Sequence, residues 1–249
     1  MERSANGVAH YFGKFPVATL RIAVIDEPGH GMSFGETSPL DEATIKMWLG
    51  TETTESDLKK EWTLVHEMVH LGFPFTDDDA NWATEGLATY VEPIVRSQMG
   101  DQSKEEFWET LKTGMPQGLP EPADKGLSIT HTWANTYWGG ALFYLLADIQ
   151  IRRETKNKKG LPDALRAINA AGGNIFEDWD LPKTFGIGDR ATGTKVLMQL
   201  YHKMATHRGT TDLDALWKDL GVISKGGHLV LDPNAPLAKV RQAIESGHP

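Results

Sequence analysis

The stretch His66-Glu67-Met68-Val69-His70 decides how this chain is read. It lies in a segment, about Glu55 to Leu71, where Leu58, Trp62, Val65 and Val69 recur at three- and four-residue steps before Gly72 and Pro74 close it. That spacing predicts a helix. Residues four apart on a helix are offset by only about 40° around its axis, so His66 and His70 share one face. Two neutral imidazoles on one face suit a zinc ion, and Glu67 between them stands where a carboxylate can take a proton from a water on that ion. The five residues are also compatible with two helix histidines in unrelated hydrogen bonds, so the reading needs a third ligand.

Working outward, fourteen residues separate His70 from Glu85, enough for a loop and the return of a second helix. That helix is predicted from an N-cap at Asp79 to about Met99, with Gly100 ending it and Pro93 kinking or interrupting it. Within it Glu85, Thr89 and Glu92 form a polar stripe through apolar Ala83, Leu87, Val91 and Ile94. Glu85 as the third ligand, and Glu92 as an acceptor that orients a ligand histidine, give the stripe a reason.

These residues resemble the glutamate-zincin metallopeptidases, especially the glycyl aminopeptidase family and the related alanyl and leucyl aminopeptidases and leukotriene hydrolase group. Those families pair H-E-x-x-H with a downstream W-x-x-E-G helix, and both halves are present here as His66 to His70 and Trp82 to Gly86. The resemblance covers about Tyr11 to Thr155. It implies that Tyr137, in Tyr137-Trp138-Gly139-Gly140-Ala141-Leu142, is the catalytic tyrosine, although Trp138-Gly139 stand where the families have Glu-Lys. It also relates Glu36, in Gly31-Met32-Ser33-Phe34-Gly35-Glu36-Thr37-Ser38, to a strand along which substrate lies. His131, six residues before Tyr137, is a further candidate to face the cleft.

The fold expected is α+β and mainly helical, a thermolysin-like zinc peptidase catalytic domain with a small N-terminal β element. The resemblance implies one zinc per chain, a peptide or protein substrate and aminopeptidase action. A zinc hydrolase of another amide or of an epoxide has the same metal chemistry, and a catalytically silent zinc-binding module has the same ligands. The pairing of Glu67 with Tyr137 argues against silence, because a binding module needs neither a base nor an oxyanion donor.

Composition agrees with this reading. With 249 residues and 40% hydrophobic content the chain can bury a core as a single catalytic unit, residues 1–249. About 11–155 would form the peptidase core and about 156–249 a helical C-terminal portion. The net charge of -9 and a thin spread of Lys and Arg speak against a nucleic-acid partner. No cysteine is present, which leaves metal binding to His and carboxylate. The longest apolar run, Trp138 to Ala147, is too short to span a bilayer. The chain therefore reads as soluble, and as periplasmic or secreted if a signal peptide was removed.

Val17 to Asp26 reads as a strand, and the turn at Pro28-Gly29-His30-Gly31 leads to a second extended stretch reaching Ser38, together an expected antiparallel pair. After Asp41 the pattern reads as helical. A buried helix is expected from about Thr136 to Glu154, then shorter ones near Leu161–Ala171, Ala191–His207, Asp212–Leu220 and Ala235–Ser246.

Overall fold

The computed structural model describes residues 1–246, apart from the side chains of Lys60 and Asp78. Helix α1 (Glu2–Phe12) comes first and buries Val8, Tyr11 and Phe12. Three strands follow: β1 (Arg21–Glu27), β2 (Met32–Ser38) and β3 (Thr44–Gly50). The expected antiparallel pairing of β1 with β2 does not form. Instead β3 lies between them, parallel to β1 and antiparallel to β2, in the order β1-β3-β2. Residues 44–50 form the central strand because Ile45 and Met47, two apart, bury one face. The arrangement leaves β2 as an edge.

The single helix expected over 55–71 is two helices, α2 (Glu55–Lys60) and α3 (Thr63–His70), with Glu61 extended between them. The apolar spacing misleads here because Leu58 and Trp62 are about half exposed and hold no core position. The break serves α3: the Glu61 carboxylate accepts from the backbone N–H groups of Trp62 at 3.0 Å and Thr63 at 2.8 Å, capping the helix and placing negative charge at its positive end.

Helix α4 (Asn81–Met99) ends at Gly100 in the left-handed region, as expected. Pro93 does not interrupt it; the helix runs through, and the Pro93 carbonyl accepts from Gln102 Nε2 at 2.6 Å. Helix α5 (Lys104–Gly114) carries a Ser103/Glu106 capping box. Helix α6 (Gly140–Glu154) is preceded by a π-helical turn over Asn135–Gly139.

Helices α3, α4 and α6 form the centre of the molecule, and α4 meets α6 at backbone distance. A Cβ on Gly86 would stand 2.3 Å from Gly140 Cα, and one on Gly140 would stand 2.2 Å from the Trp82 carbonyl. Only glycine at both positions permits this crossing. Tyr144 Oη donates to the Ala83 carbonyl at 2.9 Å one turn further along. Deeper still, buried Asp148 accepts from Tyr90 Oη at 3.1 Å, Arg152 Nε at 2.8 Å and the Leu161 N–H at 2.9 Å. This satisfied network binds α4, α6 and α7 (Leu161–Ala170) together.

The C-terminal part continues with α8 (Leu181–Thr192), α9 (Val196–Met204), α10 (Leu213–Leu220), a hairpin of β4 (Val222–Lys225) with β5 (His228–Leu231), and α11 (Ala238–Ser246). The helix expected over 191–207 is thus the end of α8 and all of α9, divided at Gly193, with the Asp189 carboxylate capping Leu197 and Met198. Glu245 ties α11 to α5, accepting from Trp108 Nε1 at 2.9 Å and from Arg241 at 2.6 Å. The architecture is mainly helical with two small sheets. No helix among the described residues is long and apolar enough to cross a membrane.

Candidate metal and catalytic site

Helix α3 projects His66 and His70 toward Glu85 on α4. His66 Nε2 lies 3.2 Å and His70 Nε2 3.6 Å from Glu85 Oε2, and the three side chains offer ligand atoms within 4.8 Å of one another. Ligands at ~2.0–2.2 Å on a tetrahedral ion stand roughly 3.3–3.6 Å apart, close to the two distances from Glu85, so the donor set suits a zinc ion. Both contacts are within ion-pair distance whenever the imidazole carries a proton. Burial opposes charge on Glu85, but the hydrogen bonds and charges of His66 and His70 outweigh it and hold the carboxyl well below the usual range. Burial likewise opposes charge on His70, yet bonding to Glu85 and the charges of Glu85 and Glu67 carry its pKa above the ordinary histidine value.

Glu67 is buried beside the triad and is held from the strand side. Thr37 Oγ1, on β2, donates to Glu67 Oε2 at 2.6 Å and lies 3.0 Å from the Glu67 carbonyl. Gly35, two residues back on the same strand, approaches so closely that a Cβ there would come within 2.8 Å of Glu67 Cγ and Oε1. Sequence reasoning passed over both residues. The available signal was a glycine inside a strand, which marks close backbone approach.

Tyr137 reaches the cleft from the π-helical turn, a widened turn of a kind that often marks functional sites. Its ring stacks on His66, with centroids 6.4 Å apart and planes inclined 22°. Burial, then the charges of Glu85 and Glu67 and a hydrogen bond to Glu85, push its hydroxyl pKa up to about 12. The group stays protonated and able to donate throughout the neutral range.

The cleft around these groups has a volume of ≈ 260 Å³ and is lined by β2 from Phe34 to Thr37, the triad, Glu67, Tyr137 and the turn Phe73-Pro74-Phe75. Glu36 belongs to the strand that borders the cleft, but its side chain is exposed and paired with Lys46 at 3.5 Å, on the face away from Glu67. Glu92 accepts from Arg96 at 3.1 Å on its own helix, and no hydrogen bond to a ligand histidine is seen among the described residues. Burial pushes its carboxyl up to about 7, with Arg96 opposing and Glu61 adding to the rise. His131 is 3.7 Å from Asp79 and does not line the cleft.

The chain shares its fold with the M1 zinc metallopeptidases. A mutant of a two-domain M1 zinc metallopeptidase bound to L-arginine is similar at a TM-score of 0.57 and 15% identity, over 84% of this chain and 44% of that one. An M1 zinc metallopeptidase from Deinococcus radiodurans gives 0.53 at 14% identity, with 84% and 43% covered. An aminopeptidase N family protein from Idiomarina loihiensis gives 0.51 at 14% identity, with 96% and 43% covered. At such identities the likeness is one of fold, and the chain spans less than half the length of these relatives. No family model and no curated protein matches the chain.

Proposed function

We propose that this chain is a zinc-dependent peptidase in which His66, His70 and Glu85 hold the metal, Glu67 is the general base and Tyr137 stabilises the oxyanion. The observation that carries this reading is the convergence of two imidazoles and one carboxylate beside a second carboxylate fixed by its own hydrogen bond. The shared fold of the zinc metallopeptidases supports it. In this reading residues 11–155 form a thermolysin-like catalytic core, and the helices after it buttress that core.

Bound at the triad, zinc would polarise a substrate carbonyl and make a water acidic at neutral pH. The chain's own groups do the rest. With Oε2 engaged by Thr37, Glu67 takes the water's proton at Oε1 and passes it to the departing amine. Tyr137 Oη donates to the carbonyl oxygen as negative charge gathers there. Glu36, on the cleft's edge strand, would be the carboxylate to meet a free α-amino group once released from Lys46, and that role would favour trimming from the peptide N-terminus.

The test is turnover of a mixed peptide library with and without chelator, alongside Glu67→Gln. Chelator-sensitive cleavage that Glu67→Gln abolishes while keeping zinc is the expected result, because Gln preserves the shape and cannot accept the proton. Cleavage by Glu67→Gln within a few-fold of wild type removes Glu67 as base. Internal cutting of N-acetylated peptides at the rate of free ones removes the aminopeptidase reading.

A further inference from the structure

Large apolar side chains left in water singly need no explanation, but a cluster of them around a cleft does. Among the described residues five aromatic rings are strongly exposed, Phe34, Trp62, Phe75, Trp133 and Phe176, each by 48% or more. Two belong to segments that line the candidate site, and the other three adjoin residues that do. Phe75 lines the cleft directly, and Phe34 is on its edge strand with the ring against Trp48 at 5.2 Å. Phe176 follows the cleft residue Ile175 in a segment that pairs with the Phe75 backbone, whose N–H donates to the Glu177 carbonyl at 2.8 Å.

The two tryptophans extend the wall through the site's own rings. Trp62 meets His66 edge-on at 5.5 Å, His66 stacks with Tyr137 at 6.4 Å, and Tyr137 stacks with Trp133 at 5.3 Å and 27°. Trp133 is the most exposed ring of the five, at 62%. One side of it rests on Tyr137 and much of the rest is free.

We infer that this cleft takes peptides through bulky apolar side chains, aromatic ones above all, and that Trp133 is a residue that sets this preference. The inference rests on the peptidase reading only for the identity of the occupant. An aromatic side chain buried among such rings gains its hydrophobic transfer and edge or stacking contacts, while a small polar one gains neither. An acidic side chain meets in addition the Glu67 carboxylate.

The experiment measures binding separately from turnover. Zinc-loaded Glu67→Gln protein is titrated calorimetrically with unblocked alanine pentapeptides that carry one Phe or one Ser at each position in turn. The expected result is at least one position where Phe binds roughly tenfold or more tightly than Ser. Trp133→Ala in the same background should shrink that ratio by most of its value, and Trp133→Phe should retain it. Equal affinities at every position, or a ratio untouched by Trp133→Ala, overturn the inference. Equal affinities together with a dimer that Trp133→Ala dissociates assign the rings to self-association and overturn it as well. Wild-type turnover of the same peptides is scored apart: cleavage with no preference in binding sinks only the inference, and a Phe preference without chelator-sensitive cleavage sinks only the peptidase reading.

Discussion

The Thr37 hydroxyl and the Glu67 carboxylate are 2.6 Å apart, which joins the edge strand to the residue proposed as base. A charged acceptor makes this bond stronger than a neutral one, and it fixes which carboxylate oxygen is left to work.

Thr37→Val keeps the shape and deletes the donor. Hydrogen bonds to charged groups contribute about 1.5–3 kcal/mol, so kcat should fall by roughly tenfold or more while zinc content stays at one per chain. Steady-state kinetics and elemental analysis on the same preparation test this. An unchanged kcat would reduce the contact to a purely structural one.

Glu85→Ala should bind zinc far more weakly than wild type, since two imidazoles remain of a three-residue set. Zinc occupancy after equilibrium dialysis is the measurement. Full occupancy in the variant would take Glu85 out of the ligand set.

Tyr137→Phe should leave Tm and zinc content near wild type and lower kcat about a hundredfold, corresponding to ~3 kcal/mol of oxyanion stabilisation. Because the hydroxyl pKa lies at about 12, loss of the Tyr137 proton should not shape the pH profile at or below neutrality. A variant with wild-type kcat would leave Tyr137 as a packing residue.

The metal-free protein should show a pH signature of the triad. The Glu85 pKa is depressed, so its contribution is present above the ordinary carboxyl value of 4.5 and fades as pH falls toward the folded pKa. The His70 pKa is raised, so its contribution is whole below the ordinary value of 6.5 and fades as pH rises through the folded pKa. The Tm difference between chelated wild type and chelated Glu85→Gln should therefore peak between pH 4.5 and 6.5. Zinc-loaded protein should gain stability with rising pH over the same range, because ligation needs neutral imidazole. A difference that stays the same below pH 4.5 and well above pH 6.5 as between them would show that the triad is not ion-paired.

What the sequence discloses here follows from how local each signal is. His66, His70 and Glu85 stand out because helical periodicity alone brings two imidazoles onto one face and isolates a carboxylate on an apolar helix. The Thr37–Glu67 bond spans thirty positions of chain, and no local pattern announces it. Strand β3 was concealed by Lys46, which interrupts the apolar run, and by Met47-Trp48-Leu49, which breaks the alternation, so a central strand passed for the start of the helical region. The break at Glu61 was concealed by Leu58 and Trp62, which keep helical spacing while facing solvent. Glu92 was correctly unusual for an apolar helix, but it pairs with Arg96, four residues on, a pairing the spacing itself offers.

Gly86→Ala should be among the most damaging small substitutions in the chain. Its Cβ would stand 2.3 Å from Gly140 Cα, so α4 and α6 must move apart at a cost of about 1–3 kcal/mol or more. Thermal unfolding with zinc titration checks this, and a variant with unchanged Tm and affinity would show that the crossing can yield.

That crossing also bears on how the site can vary. Glu85 precedes Gly86 and Tyr137 lies three residues before Gly140, so the span between these two functional groups is gauged by main-chain atoms in direct apposition. Interior side chains elsewhere can drift in size and be absorbed by their neighbours, but no rotamer stands at this point to absorb anything. The separation of Glu85 from Tyr137 is therefore a rigid dimension of the scaffold, and diversification of such a protein is channelled into the rim and the loops.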